Sequence, residues 1–260
     1  MAMLPTPMQA SPHALFRVFE FHSQHNLEAD ELHILHLGVS QYYLGSILYL
    51  LTYDCLAGSA IKNFDMVWEM ILKEYEIQPG ATEYTKLCIS SFVNPQAHDK
   101  HFPRLKGRGC EVKSLLFPLQ SIWEKLKNTG RFYAKVSESF EAMTRVQNII
   151  DEYKDDLFMP EETALELLEE TNRFCQTYCW LANDSARRHL MLFDVAPKLH
   201  WLWHMGFRAR FLSVRRSATF IDEDFVKHMK KVGEQSVSGK PMYKVPAFVL
   251  DKYRWGLTLE

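Results

Sequence analysis

The sequence has 260 residues, 47% apolar and 13% aromatic, so it can bury a sizeable core as one large domain or two small ones. Eleven glycines and 11 prolines are too few for a many-stranded sandwich with its tight turns. The net charge of −2 conceals segregation, because residues 100–137 and 186–260 are basic whereas residues 1–99 and 138–185 are acidic. Basic blocks suit a polyanion-binding surface, and they equally suit solvated faces that neutralise the acidic blocks.

The cysteines and the N-terminal sequence bear on the cellular compartment. Five cysteines without framework spacing favour a reducing, intracellular setting, nuclear or cytoplasmic. The opening residues, MAMLPTPMQASPHALF, lack the basic and apolar regions of a signal peptide, so we do not expect secretion. The most apolar stretch is interrupted by His33, His36 and Gln41, and its remainder is too short to span a bilayer. We therefore expect no membrane partner.

Residues 1–26 are predicted to be an arm with one short apolar segment, and a core helix is predicted to follow from Asp30 to Leu51. Asp30 suits the N-cap of this helix. Apolar residues then recur at steps of three and four, so this face should be buried; it includes Leu35, Val39 and Ile47. His33 lies one turn after Asp30, where the two side chains can share a ligand.

A basic loop dominates the rest of the first helical region, residues 27–136. Helices are predicted from Phe64 to Tyr75, from Thr82 to Val93 and from Cys110 to Leu126. Before the last of these, the sequence FPRLKGRG at 102–109 carries three cations and two glycines. A glycine turn at a helix N-terminus can expose backbone N–H groups to phosphate. A generic basic helix cap explains the same pattern.

Residues 137–260 are predicted to form a helical hairpin and a basic C-terminal region. The hairpin helices are predicted at 137–158 and from Pro160 to about 192, and a last helix at 245–257. Between them a helix starts at Pro197, on which His200 and His204 lie one turn apart and can share a metal ion. The tryptophans at 201 and 203 favour a buried, structural histidine pair instead.

Three short motifs resemble transposases of the CACTA-type group and their relatives. The first is Asp30-x-x-His33 with LGSIL at 44–48; the second is PKLH at 197–200 with His204 beyond; the third is FIDED at 220–224, followed by Lys230 and Lys231. The resemblance covers about residues 28–52 and 195–232. It implies an RNase H-like catalytic domain whose second metal-binding carboxylate is Asp30 and whose third is Glu223, with Mg²⁺ or Mn²⁺ as the metal.

Two departures from this family limit the activity that we expect. The family usually has Glu-Arg where this chain has Glu223-Asp224, and the strands that carry the first carboxylate have no room before residue 30. Phosphoryl transfer on DNA uses two divalent metal ions held by three carboxylates. Two carboxylates alone cannot hold both ions and bridge them. We therefore expect this chain to be a truncated or domesticated C-terminal piece of such a transposase, without nuclease activity of its own.

The predicted fold class is mainly α, with eight to ten helices in a single helical domain or two packed helical subdomains. In the leading hypothesis the chain is a transposase-derived, nucleic-acid-binding protein with DNA as its partner. The predicted phosphate contacts are Arg104, Lys106, Arg108, Arg215, Arg216, Lys230 and Lys231.

Two alternatives remain open from the sequence. In one, a helical metalloprotein gathers carboxylates and imidazoles into a site for iron, manganese or zinc. Its ligands would be Asp30, His33, His200, His204 and Glu223. In the other, the chain is a structural or interaction module without chemistry. A homo-oligomer is compatible with all three hypotheses.

Overall fold

The computed structural model describes residues 30–77, 82–217, 230–231, 234, 241–248 and 250–251. Across these ranges the secondary structure is helical and contains no strand, which confirms the mainly α class. The predicted N-terminal arm at 1–26 and the carboxylate of Glu223 lie outside the described residues. So does most of the predicted last helix, of which residues 245–248 and 250–251 are helical.

Seven helices longer than one turn are present in the described residues, against the eight to ten predicted for the whole chain. They are α1 (Leu32–Tyr53), α2 (Ala60–Ile77), α3 (Gly109–Ser114), α4 (Leu116–Leu126), α5 (Arg131–Glu152), α6 (Glu161–Arg187) and α7 (Pro197–Arg208). Helix α1 has two parts, a π-helical segment Leu32–Val39 and an α-helical segment Ser40–Tyr53. Short 3₁₀ turns occur at Ile89–Ser91, Val214–Ser217 and Met242–Lys244.

The predicted helix from Thr82 to Val93 is wrong, since only the 3₁₀ turn Ile89–Ser91 forms there. The backbone of this segment pairs with the basic loop instead. The Arg104 N–H donates to the Phe92 carbonyl at 2.8 Å, and the Lys106 N–H donates to the Ser91 carbonyl at 2.8 Å. These long-range hydrogen bonds satisfy backbone groups that a helix would have satisfied locally.

The predicted helix from Cys110 to Leu126 is divided into α3 and α4, which are separated at Leu115. Pro118 explains the break. In one continuous helix the backbone nitrogen of Pro118 would have to donate to the Ser114 carbonyl, and proline has no N–H to donate. In the first turn of a new helix that hydrogen is not needed.

Helix α1 lies at the centre of the core, and its buried face was correctly predicted: Leu35, Val39 and Ile47 are all buried. Its α-helical part packs on α2, α3 and α4, while its π-helical part packs on α3 and α7. Tyr43 joins it to the α5–α6 hairpin, with ring centroids 5.3 Å from Phe140 and 5.3 Å from Phe174. The predicted domain boundary at 136/137 falls inside α5, and buried residues on both sides of it belong to one hydrophobic cluster.

Of the described helices, α1 is the one long and apolar enough to cross a membrane by length and composition. Its most apolar stretch is 89% buried inside the protein. Core helices that are buried in this way pass the same test, so this property is weak evidence for a membrane span.

Candidate nucleic-acid interface

Asp30 and His33 meet at the start of α1, as the sequence predicts. The Leu32 N–H donates to one Asp30 carboxylate oxygen at 3.0 Å, and Nδ1 of His33 lies 2.5 Å from the other. Asp30 therefore caps the helix with one oxygen and holds the imidazole with the other. Both oxygens already have protein partners.

A buried ion cluster next to this pair was missed by sequence reasoning. Glu31 is fully buried, its Oε1 lies 3.0 Å from Nε2 of His36, and its Oε2 accepts a hydrogen bond from the Arg215 guanidinium at 3.2 Å. In an α-helix residues five apart lie about 140° apart around the axis, so Glu31 and His36 would not meet. The π-helical turn hydrogen-bonds residues five apart and brings the pair onto one face.

The charge of Glu31 is maintained despite its burial. Burial acts to raise the pKa of this carboxyl. The hydrogen bond from His36 and the positive charges of His36, Arg215 and Lys113 together outweigh burial, so the pKa lies below its ordinary value. Arg215 was predicted to bind phosphate, and in the structure its guanidinium instead joins the 3₁₀ turn at Val214–Ser217 to the start of α1.

The PKLH motif contacts the stretch between the two parts of the first motif, about 160 residues away in sequence. The Lys198 Nζ donates to the Leu37 carbonyl at 2.9 Å, and the Lys198 chain lies across Gly38. A Cβ at Gly38 would come within 2.6 Å of the Lys198 side chain, so glycine permits this approach. The first motif is also tied to the loop before α7, because Ser46 Oγ accepts the Phe193 N–H at 2.9 Å.

His200 and His204 are adjacent on α7, with their Nε2 atoms 2.9 Å apart. The predicted burial of this pair is wrong, because His200 is exposed and His204 is half-buried. The flanking tryptophans are themselves 48% (Trp201) and 37% (Trp203) exposed. The buried face of α7 is formed by Leu199, Leu202, Met205 and Gly206. The 3.6-residue period of the helix then turns positions 200, 201, 203, 204 and 207 away from the core.

The described metal-ligand candidates form two separate pairs, Asp30 with His33 and His200 with His204. Among the residues that the structure describes, no three His, Cys, Asp or Glu side chains form a group that could hold a metal ion. Glu223, the fifth candidate, lies outside the described residues. The donors described here do not fit a Mg²⁺ or Mn²⁺ centre, and we derive no metal-dependent step from them.

The basic loop exposes its cations and buries the residue between the first two. Arg104 and Lys106 are exposed on either side of Leu105, which is fully buried. The Arg104 Nε donates to the side-chain oxygen of Gln41 at 3.0 Å, and its guanidinium lies 5.4 Å from the ring centroid of Tyr42. The Lys106 Nζ donates to the Ser90 carbonyl at 3.0 Å. Both cations are therefore positioned by neutral groups.

The third cation of the loop has a carboxylate partner. Glu111 accepts the Arg108 backbone N–H at 2.8 Å and the Arg108 guanidinium at 2.8 Å. The anion at this helix start is therefore a side chain of the protein, in the position where a phosphate was expected. Gly107 is explained by packing, because a Cβ there would come within 2.1 Å of the Tyr84 hydroxyl, which donates to the Lys106 carbonyl.

Lys198 adds a further positive charge beside the loop. Its pKa lies below the ordinary lysine value, first because of burial and second because of the nearby positive charge of Arg104; Asp30 acts in the opposite direction. Lys198 and Arg104 are therefore near enough for their positive charges to repel each other. An anion bound there would relieve the repulsion between Lys198 and Arg104.

The remaining predicted phosphate contacts lie in the C-terminal region. Lys230 and Lys231 are exposed, and Lys230 lies 4.0 Å from Glu234. The side chain of Arg216 is outside the described part of the chain. Sequence reasoning also missed an exposed aromatic series at Trp203, Phe207 and Phe211, whose spacing of four residues was visible in the sequence.

No family model, curated protein or solved structure matches this chain.

Proposed function

We propose that this chain is a transposase-derived, helical protein that binds nucleic acid through its phosphates and has no nuclease activity of its own. One observation carries the proposal. Arg104, Lys106 and Lys198 are each hydrogen-bonded to a neutral oxygen, of Gln41, Ser90 and Leu37 respectively. Such bonds fix the position of a cation without neutralising it, so the charge stays available to a phosphate.

The chemistry of the surface suits a polyanion better than a single small anion. Arg104 and Lys106 are exposed on the surface of the loop, and the half-buried Lys198 on the first turn of α7 lies close enough to Arg104 for their charges to interact. Contacts of this kind release counterions from the nucleic acid and carry no base specificity. We therefore expect binding that is strongly salt-dependent and largely independent of sequence.

The transposase origin in this proposal rests on the three short motifs in their order along the chain; the PKLH motif packs against Leu37 and Gly38, between the two parts of the first motif. The absence of nuclease activity is proposed because Asp30, the carboxylate assigned to a metal by the resemblance, already binds the Leu32 N–H and His33. A metal ion would compete with the imidazole and the Leu32 N–H for these two oxygens. The same contacts suit a carboxylate with a structural role.

The test is the salt dependence of binding to a fluorescein-labelled duplex, measured by fluorescence anisotropy. The double variant Arg104→Ala/Lys106→Ala should bind more weakly, and the slope of log K against log salt concentration should fall by about two units, near 0.9 for each lost phosphate contact. Lys125→Ala is the matched control, since Lys125 is exposed but paired with Glu74 at 2.7 Å. A slope that stays unchanged in the double variant would contradict the proposal.

A further inference from the structure

A cleft of about 510 Å³ lies between the end of α6, the loop that leads to α7 and the start of the basic loop. Pockets that hold small molecules have volumes of roughly 300–1,000 Å³. Most of the side chains that line this cleft are apolar: Phe102, Ala182, Ala186, Leu190, Met191, Leu192, Phe193 and Val195. Three of them keep a large exposed fraction, 38% for Phe102, 37% for Met191 and 55% for Val195. The wall of the cleft is therefore apolar and accessible.

One carboxylate lines this cleft, that of Asp194. Asp194 is half-buried, and among the residues that the structure describes its side chain has no cation and no hydrogen-bond donor as a partner. It does not cap α7 either, since the N-cap residue of that helix is Ala196. Burial raises the pKa of this carboxyl above its ordinary value. The fold thus places a carboxylate beside apolar groups without supplying a partner for it.

The loop that carries Asp194 is held in an unfavourable backbone conformation. Both non-glycine residues that the described part of the chain has at positive φ line the cleft, His189 at 58° and Phe193 at 57°. For a bulky residue such as Phe193 this conformation is an outlier. It is held by Ser46 Oγ, which accepts the Phe193 N–H at 2.9 Å, and by the Tyr178 hydroxyl, which donates to the Asp194 carbonyl at 2.8 Å. Strain that the surrounding structure maintains in this way is concentrated at functional sites, ligand sites among them.

The unpaired carboxylate decides which kind of ligand suits the cleft. A metal ion needs several donors, and the described residues contain no group of three His, Cys, Asp or Glu side chains that could hold one. An anion, a nucleic-acid phosphate included, would be repelled by Asp194. A neutral apolar molecule would cover the carboxylate without pairing it, which costs free energy. An ammonium or guanidinium group on an apolar body pairs the carboxylate and also covers the apolar wall.

We propose that the cleft beside Asp194 binds a small organic cation, an amine or guanidine with an apolar body, whose positive group pairs with the Asp194 carboxylate. Phe102, Met191 and Val195 cover the apolar body. His189 also lines the cleft, and its neutral imidazole offers an acceptor nitrogen to the same positive group. This site goes beyond the proposed function and does not depend on nucleic-acid binding.

The test uses three probes with the same apolar body and different charge: 4-phenylbutylammonium, 4-phenylbutanol and 4-phenylbutanoate. Their affinities for the full chain are measured by saturation-transfer NMR over a concentration series. The ammonium probe should bind at least about tenfold more tightly than the alcohol, because hydrogen bonds to a charged group are the stronger ones. The butanoate should bind more weakly than the alcohol. This comparison needs no variant, so it tests the proposal even if a variant melts early.

Two variants separate the charge from the apolar wall. Asp194→Asn keeps the shape and removes the charge, so it should lower the affinity for the ammonium probe about tenfold and leave that for the alcohol unchanged. Phe102→Ala removes part of the wall and should lower both affinities alike, by about fivefold. The matched control is Asp65→Asn, which removes an exposed carboxylate from α2 and should change neither affinity.

The contrary outcomes are specific. Equal affinities of the ammonium probe and the alcohol in the wild type would overturn the proposal, as would an unchanged ammonium affinity in a folded Asp194→Asn variant. Absence of binding by all three probes at millimolar concentration would overturn it too. Binding of polylysine that is lost in Asp194→Asn, without binding of the ammonium probe, would assign the cleft to a basic protein segment and overturn the small-molecule site.

Discussion

The buried cluster of Glu31, His36 and Arg215 gives a sharp prediction about stability. Replacing His36 with leucine leaves the Glu31 carboxylate buried with one partner fewer, and breaking a buried ion pair from one side typically costs about 3–5 kcal/mol. Replacing Glu31 and His36 together with leucine removes the buried charge as well as its partner. Apolar replacement of a whole pair is often close to neutral, so the double variant should lose far less than the sum of the single variants.

Urea unfolding of the wild type, the two single leucine variants and the double variant forms a complete double-mutant cycle. Because the pair is fully desolvated, we expect a large interaction energy between positions 31 and 36. A loss of unfolding free energy below about 1 kcal/mol in each single variant would refute the reasoning. So would a loss in the double variant that equals the sum of the two single losses. Leu35→Ala, on the same turn but without charge, shows the cost of lost packing alone, so it is the matched comparison.

The pH dependence of stability tests the same cluster. The pKa of Glu31 in the folded protein lies below the ordinary glutamate value of 4.5. The ionised carboxylate therefore contributes stability that is fully present above pH 4.5 and is lost as the pH falls through the folded-state pKa. Glu31→Gln removes this contribution, so the difference in free energy of unfolding between wild type and variant should shrink on acidification, by at most about 1.4 kcal/mol per pH unit. A difference that stays constant down to pH 3 would exclude the cluster as its source.

Three further predictions concern the core, the basic loop and the chemistry. Leu35→Ala should cost about 2–5 kcal/mol in urea melts, whereas Leu72→Ala, at a 40% exposed position, should cost much less; equal costs would place α1 outside the core. Gly107→Ala should destabilise by about 1–3 kcal/mol because its Cβ overlaps the Tyr84 hydroxyl, and Tyr84→Ala should remove that penalty. The chain should not nick supercoiled plasmid in Mg²⁺ or Mn²⁺; nicking that is lost in Asp30→Ala would refute this.

The sequence was sufficient to predict the α-helical part of α1, α2 and the α5–α6 hairpin. These elements have apolar residues at regular helical spacing, and their burial follows from that period. The π-helical start of α1 was not predictable in this way, because every step of the reasoning assumed 3.6 residues per turn. His36 was therefore interpreted as an interruption of an apolar helix, whereas it is the buried partner of Glu31. The usable signal was an acid and a histidine five residues apart within an apolar run.

The basic loop shows a second limit of local reasoning. Its cations were predicted from composition, and they are exposed as expected. Two of them are held by partners distant in sequence, Gln41 for Arg104 and Ser90 for Lys106, whereas Arg108 is paired with Glu111, only three residues away. The segment 82–93 was predicted to be a helix from the apolar residues within it, whereas its backbone pairs with this loop, an arrangement that leaves no periodic pattern in the sequence.

The transposase-like motifs can now be divided by what their residues do in the fold. Asp30 caps α1, Ser46 holds the loop before α7, Pro197 starts α7 and Lys198 links α7 to α1. Each of these side chains is explained by folding, so a short match at these positions is as consistent with shared packing as with shared chemistry. His200 and His204 make no such contribution to the core, since they lie on the outer side of α7 and contact each other. Among the described residues of the first two motifs, those that packing leaves unexplained therefore lie on the outer side of α7, next to Trp203, and that face is where a function of these motifs must be sought first.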